Sequence, residues 1–194
     1  MRSIRLWILK TNLKMLENLF TISIFRTKVK DWQDHKLEVL SMLDEVESLQ
    51  DHQSDYKTHF SKDIKPKYTQ KLMRVLDGAF CEFEDVFPYA YEIKNLWCQR
   101  YKDNQFHGTH NHGAVGYSMV FYAQFDKNCH EGTTFISPFN NWLNGNAVYH
   151  TIDVDEGDVV FFPSFILHEC IPVKNNDKER IIFSLNVNVE EPKS

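Results

Sequence analysis

Beyond Pro88 the hydrophobic period of this chain changes to two, and that change limits the folds open to it. Six short runs carry it: NLWCQRY (95–101), GYSMVFYAQF (116–125), TTFIS (133–137), VYHTIDV (148–154), DVVFFPS (158–164) and RIIFSLNVNV (180–189). Polar turn signals such as DKNCHEG, NNWLNGN, DEGD and KNNDKE separate them. Many short strands joined by polar turns predict a sandwich or small barrel.

The part before Pro88 reads differently. Leu37, Val39, Leu40, Leu43, Val46 and Leu49 recur at helical spacing, so residues 31–50 predict a helix with one apolar stripe. Residues 51–65 are polar and read as a loop. Pro66 then opens a second helical stretch, 66–87, which Pro88 closes. The expected class is mainly β (α+β), with the helices packed on one face of an antiparallel core. Residues 15–194 are expected to form one domain, helical over 15–90 and β over 91–189. Residues 1–14 read as a tail that precedes a possible true start at Met15. Lys10 and Lys14 interrupt its apolar part and no small-residue cleavage site follows, which argues against a signal peptide.

Composition narrows the function classes. The net charge of −5 offers no electrostatic case for general nucleic-acid binding. No apolar run approaches the roughly 18 residues of a membrane span. The four cysteines, at 81, 98, 129 and 170, include no CxxC pair and suggest neither a disulfide framework nor a zinc ribbon. A reducing, cytoplasmic setting follows as the default.

Three of the nine histidines fall in HGTHNH (107–112). On a strand, residues i and i+2 point to the same side, so His110 and His112 can present two imidazoles to one point. A polar loop rich in histidine by chance is the alternative. His168, after the apolar run ending at Pro163, is either a packed core residue or a third ligand brought in by a distant strand. In RIIFSLNVN, Ile181, Phe183, Leu185 and Val187 share one face, as expected of core packed against helices. Arg180, Ile182, Ser184, Asn186 and Asn188 share the other. That second face suits a ligand-lined barrel interior, where a guanidinium can grip a carboxylate, or a solvated sandwich surface. Trp97, Gln99 and Tyr101 share a face, as do Ser118, Val120, Tyr122 and Gln124, and both faces fit a cavity lining. His130 and His150 read most simply as surface residues.

Taken together, WCQRYKDNQFHGTHNH, YSMVFYAQF, EGDVVFFPSFILHECIP and ERIIFSLN resemble the Fe(II)- and 2-oxoglutarate-dependent oxygenases, in particular a group common in bacteriophages and marine bacteria. The resemblance covers roughly residues 95–189. It implies a double-stranded β-helix (a jelly roll, cupin-like) buttressed by helices. It implies Fe(II) and 2-oxoglutarate as cofactors, with succinate and CO2 released as an unidentified substrate is hydroxylated. By position it makes His110, His112 and His168 the metal ligands. Arg180 would bind the far carboxylate of 2-oxoglutarate, with Ser184 assisting and Tyr101, Tyr122 and Asn186 nearby. His107 would be a supporting or reserve ligand. One departure stands out: most characterised members use two histidines and a carboxylate, and here His112 occupies the carboxylate position. Asp126 is a further carboxylate from a neighbouring strand. Two alternatives are a cupin-like three-histidine enzyme that does not use 2-oxoglutarate, and a non-catalytic β-barrel module. The loops of 126–150, with Asn140, Asn141 and Trp142, are the candidates for substrate contact.

Overall fold

The computed structural model describes residues 20–44, 50–52, 56–58, 68–114, 116–174 and 178–189. The expected tail, Met15, Val46, Leu49 and Pro66 lie outside these. The elements run β1 (Phe25–Lys28), α1 (Trp32–Asp44), β2 (Gln50–His52), β3 (Tyr56–Thr58), α2 (Thr69–Val86), β4 (Tyr91–Tyr101), β5 (His107–His110) and β6 (Tyr117–Gln124). They continue with β7 (Thr134–Ile136), β8 (Tyr149–Thr151), β9 (Asp158–Pro163), β10 (His168–Cys170) and β11 (Arg180–Val189). Among the described residues no helix is long and apolar enough to cross a membrane.

Two antiparallel sheets carry the fold. The larger has seven strands in the order β1-β9-β6-β11-β4-β3-β2, and the smaller has four in the order β5-β10-β7-β8. This is the double-stranded β-helix that the resemblance implies, within the sandwich or small-barrel class that the alternating runs predict.

The period of two divides the core into two layers. On β6, β9 and β11, residues Met119, Phe121, Val159, Phe161, Ile181, Phe183 and Leu185 pack against the helices. Val120, Tyr122, Val160, Phe162 and Ile182 alternate with them and fill the space between the sheets. These central strands are buried on both faces, which explains why β9 reads as a continuous apolar run. On the helical side, Leu72, Leu76, Phe80 and Phe83 of α2 form the buried stripe. The Phe83 ring stacks on Phe161 at 4.3 Å between centroids and 5° between planes.

Several expectations need correction. Leu37 is 82% exposed and lies off the buried stripe of α1, which Trp32, Val39 and Leu43 make. The stretch expected as a loop from 51 to 65 includes a hairpin, β2–β3, that extends the larger sheet. Lys57 and Thr58 pair with Arg100 and Gln99 of β4. Three-residue strands of polar sequence leave no periodic trace, and only the edge of β4 makes them strands. His130 is buried, not a surface residue. Its Nδ1 accepts from the Asp126 N–H at 2.9 Å, and its Nε2 lies 3.2 Å from the Lys178 carbonyl. Asp126 itself pairs with Lys178 and Asn128, apart from the histidine cluster.

Candidate metal centre

The smaller sheet brings two histidines face to face. His168 on β10 is the direct partner of His110 on β5, with ring centroids 4.3 Å apart. His112 lies beyond the end of β5, so strand alternation alone does not bring it to the site. Its backbone N–H donates to the Ser164 carbonyl at 2.9 Å, which draws the segment after β5 onto the end of β9. Gly116 lets the same segment pass close against β11. It has a positive φ of 87°, and a Cβ there would lie 2.0 Å from the Val187 carbonyl oxygen. The His112 ring then lies 5.2 Å from His110 and 5.0 Å from His168. One ligand atom from each of the three histidines lies within 4.8 Å of the others.

Each ring is set in the tautomer a metal needs. His110 Nδ1 lies 2.8 Å from the Gly108 carbonyl, and His168 Nδ1 lies 2.9 Å from the Ile166 carbonyl. His112 Nδ1 lies 2.8 Å from Asn186 Oδ1. A carbonyl oxygen only accepts, so each Nδ1 carries the hydrogen and each Nε2 keeps its lone pair. Burial, reinforced by the neighbouring His110, lowers the pKa of His112 to about 4 and that of His168 to about 3. Both rings are therefore neutral at pH 7.

His107 stacks on His110 at 3.7 Å, but its ring nitrogens are engaged. Ser184 Oγ donates to Gln99 Oε1 at 3.0 Å, which turns the Gln99 amide N–H toward His107 Nδ1 at 3.1 Å. His107 Nε2 lies 3.2 Å from the Tyr56 hydroxyl. Its one lone pair is spent on Gln99, so it supports His110 and is not a free ligand.

Arg180, Ser184 and Tyr101 line the same cavity as the three histidines. Arg180 is 1% exposed, and its Nε and Nη2 have no hydrogen-bond partner among the described residues. Its guanidinium lies 5.3 Å from the Tyr101 ring and 5.6 Å from the Tyr122 ring, and Nη1 contacts the Cys170 thiol. Burial raises the pKa of Tyr101, Tyr122 and Cys170, so all three stay uncharged. Among the described residues no carboxylate pairs with Arg180. A buried cation without a counter-ion calls for an anionic ligand. The cavity measures about 20 Å³, room for roughly one water, so a dicarboxylate enters only as lining side chains move.

Two predicted residues are placed differently from the rest. The Tyr122 hydroxyl bonds Thr133 Oγ1 at 2.7 Å and is also a side-chain hydrogen-bond partner of Arg180, and Tyr122 is not among the residues that line the cavity. Asn186 bonds His112, as described above. Cys170 and Ser164 escaped sequence reasoning because a lone cysteine or serine carries no spacing signal.

Residues 95–186 match a family model described as "Putative 2OG-Fe(II) oxygenase". The matched segment spans most of the β-core, which is therefore similar to the 2OG-Fe(II) oxygenases. Solved structures support the same fold. The viral collagen prolyl hydroxylase of Paramecium Bursaria Chlorella virus-1, in its 2OG complex, has a TM-score of 0.59 at 13% identity, over 87% of this chain and 96% of that one. A 2OG-Fe(II) oxygenase family oxidoreductase from Burkholderia pseudomallei has a TM-score of 0.64 at 14% identity, over 85% and 84%. A Pseudomonas putida prolyl-4-hydroxylase has 0.58 at 13% identity, over 89% and 95%. No curated protein sequence matches this chain. The donor set of the centre fits the family's cofactors: three neutral imidazoles suit iron, although also Zn, Cu and Ni, and the orphaned guanidinium suits a carboxylate.

Proposed function

We propose that this oxygenase holds Fe(II) with His110, His112 and His168 and grips the far carboxylate of 2-oxoglutarate with Arg180. The observation that carries this reading is Arg180: a buried guanidinium with no carboxylate partner among the described residues, in the same cavity as three neutral, lone-pair-ready histidines. Bound together, the metal, 2-oxoglutarate and O2 supply an oxidant for C–H bonds, with succinate and CO2 released. The chain's own residues bind, orient and shield. Arg180 offers a fork of N–H donors matched to two carboxylate oxygens. Ser184, 2 % exposed and on the same strand face, adds a hydroxyl. The rings of Tyr101 and Tyr122 both lie against the guanidinium. Val160, Phe162 and Ile182 wall the interior and exclude water.

The substrate is met outside this cavity, at the 126–150 loops. Trp142 is 89% exposed there, next to Asn140 and Asn141. The free cysteines among the described residues accord with a reducing cytoplasm. The net charge of −5 offers no electrostatic case for general nucleic-acid binding.

A second reading keeps the three-histidine metal but dispenses with 2-oxoglutarate, as in cupin-like enzymes. The small cavity favours it. Arg180→Ala separates the two. Under the first reading it abolishes 2-oxoglutarate binding, measured calorimetrically with Mn(II) in the site, and leaves metal affinity intact. Wild-type protein that binds the metal but neither binds 2-oxoglutarate nor forms succinate from it refutes the first reading.

A further inference from the structure

His112 is held differently from its two companions. His110 and His168 sit on paired strands, opposite one another. His112 lies past the end of β5, and no ladder fixes its ring. Contacts from other parts of the chain do so instead. Beyond the backbone bond to Ser164, its Nδ1 lies 2.8 Å from Asn186 Oδ1 and 2.8 Å from Ser118 Oγ. Trp97 packs beside the ring at 5.5 Å between centroids.

The Asn186 amide has its own anchor. Its Nδ2 donates to Asn95 Oδ1 at 3.1 Å, which leaves Oδ1 as the atom that meets His112. The Ser118 hydroxyl donates to the same Oδ1 at 3.3 Å and lies 3.0 Å from Ser164 Oγ. The chain Asn95–Asn186–His112 therefore has one consistent direction of hydrogen bonding.

The need for such a chain follows from ligand chemistry. A carboxylate at the position of His112 would present two equivalent oxygens, and either would serve. An imidazole has two different nitrogens, and Nε2 offers a lone pair only while Nδ1 holds the hydrogen. An amide oxygen enforces that state and, unlike a carboxylate, adds no negative charge to the ring.

We propose that Asn186, oriented by Asn95 and backed by Ser118, is the positioning residue that makes a histidine serviceable at the second place of the H-x-H pair. It fixes His112 in the Nδ1–H form, with Nε2 left for the metal. This inference rests on the three-histidine reading above.

The test is Co(II) titration of the full chain, followed by chelator competition and by the visible absorption of the bound ion. Asn186→Leu should weaken Co(II) binding by about 10–100-fold and alter the visible band. Asn186→Asp, which still accepts from Nδ1, should restore the affinity. In a His112→Ala background, Asn186→Leu should cost nothing further. Asn95→Ala, at an exposed position, frees the amide without touching the histidine and should weaken binding in the same direction, even if Asn186→Leu fails to fold. Wild-type affinity and spectrum in Asn186→Leu, or an equal loss in the His112→Ala background, would overturn the inference alone. Wild-type protein that binds no Co(II) would overturn the three-histidine reading and the inference with it.

Discussion

His168 faces His110 across the β10–β5 ladder with ring centroids 4.3 Å apart. Two ligands of the proposed centre are thus fixed by backbone hydrogen bonding of the smaller sheet before any ion binds. Such preorganisation limits the rotamer entropy lost on binding.

Removal of either partner should cost more than removal of a supporting residue. His110→Ala and His168→Ala should each abolish detectable Fe(II) or Co(II) binding by calorimetry. His107→Ala should lose no more than about 10-fold, because that ring packs on His110 and its nitrogens bond Gln99 and Tyr56. A wholesale loss of metal in His107→Ala would make it a ligand after all.

Arg180 predicts a conflict between stability and function. An unpaired buried cation is a liability to the metal-free, ligand-free protein. Arg180→Met, of similar length and without charge, should raise stability in urea melts by about 1–3 kcal/mol. It should also erase any stabilisation by 2-oxoglutarate. A fall in stability would mean that the Tyr101 and Tyr122 ring faces already compensate the charge.

Acid should destabilise the metal-free protein in a defined window. His112 and His168 have pKa values of about 4 and about 3 when folded, against about 6.5 in an unfolded chain. The unfolded chain therefore takes up these protons first. The contribution of both groups is complete above about pH 6.5 and is lost as pH falls through about 4 and then about 3. Thermal melts in chelator from pH 7.5 downward should show the decline begin near pH 6.5. Added metal should delay it, since bound imidazoles cannot protonate. A flat melting temperature between pH 7 and pH 5 would contradict the assignment.

Phe83 is the side chain through which α2 grips the larger sheet. It is 1% exposed and stacked on Phe161 at 4.3 Å. Phe83→Ala should cost about 3–5 kcal/mol, measured by denaturant unfolding. Trp142→Ala, at a site 89% exposed, should stay within about 0.5 kcal/mol of wild type.

Most of the β-core was legible in the sequence because a strand buried on one or both faces must repeat every second residue. The alternation in RIIFSLNVN separated Phe183 and Leu185, which meet the helices, from Arg180 and Ser184, which line the cavity. The H-x-H pair and His168 were legible as candidates because ligand chemistry restricts the residue types. The short strands β2, β3 and β10 were not legible: unlike β7 and β8, which lie within longer alternating runs, they carry no alternation of their own. Their strand character comes from the neighbour each one pairs with.

The sequence by itself determined the β-rich class of the core and offered the three histidines and the arginine as candidates, because hydrophobic period and donor chemistry are properties of residues in order. Only the tertiary structure decided what each polar group meets. Asn186 joins His112 and not the cosubstrate face, His107 spends its lone pair on Gln99, and His130 is buried beneath the Lys178 carbonyl. These are contacts between residues distant in the chain, from 8 positions for Gln99 and His107 to 74 for His112 and Asn186. Hydrogen-bond partners follow from strand register and loop closure, which no local pattern encodes.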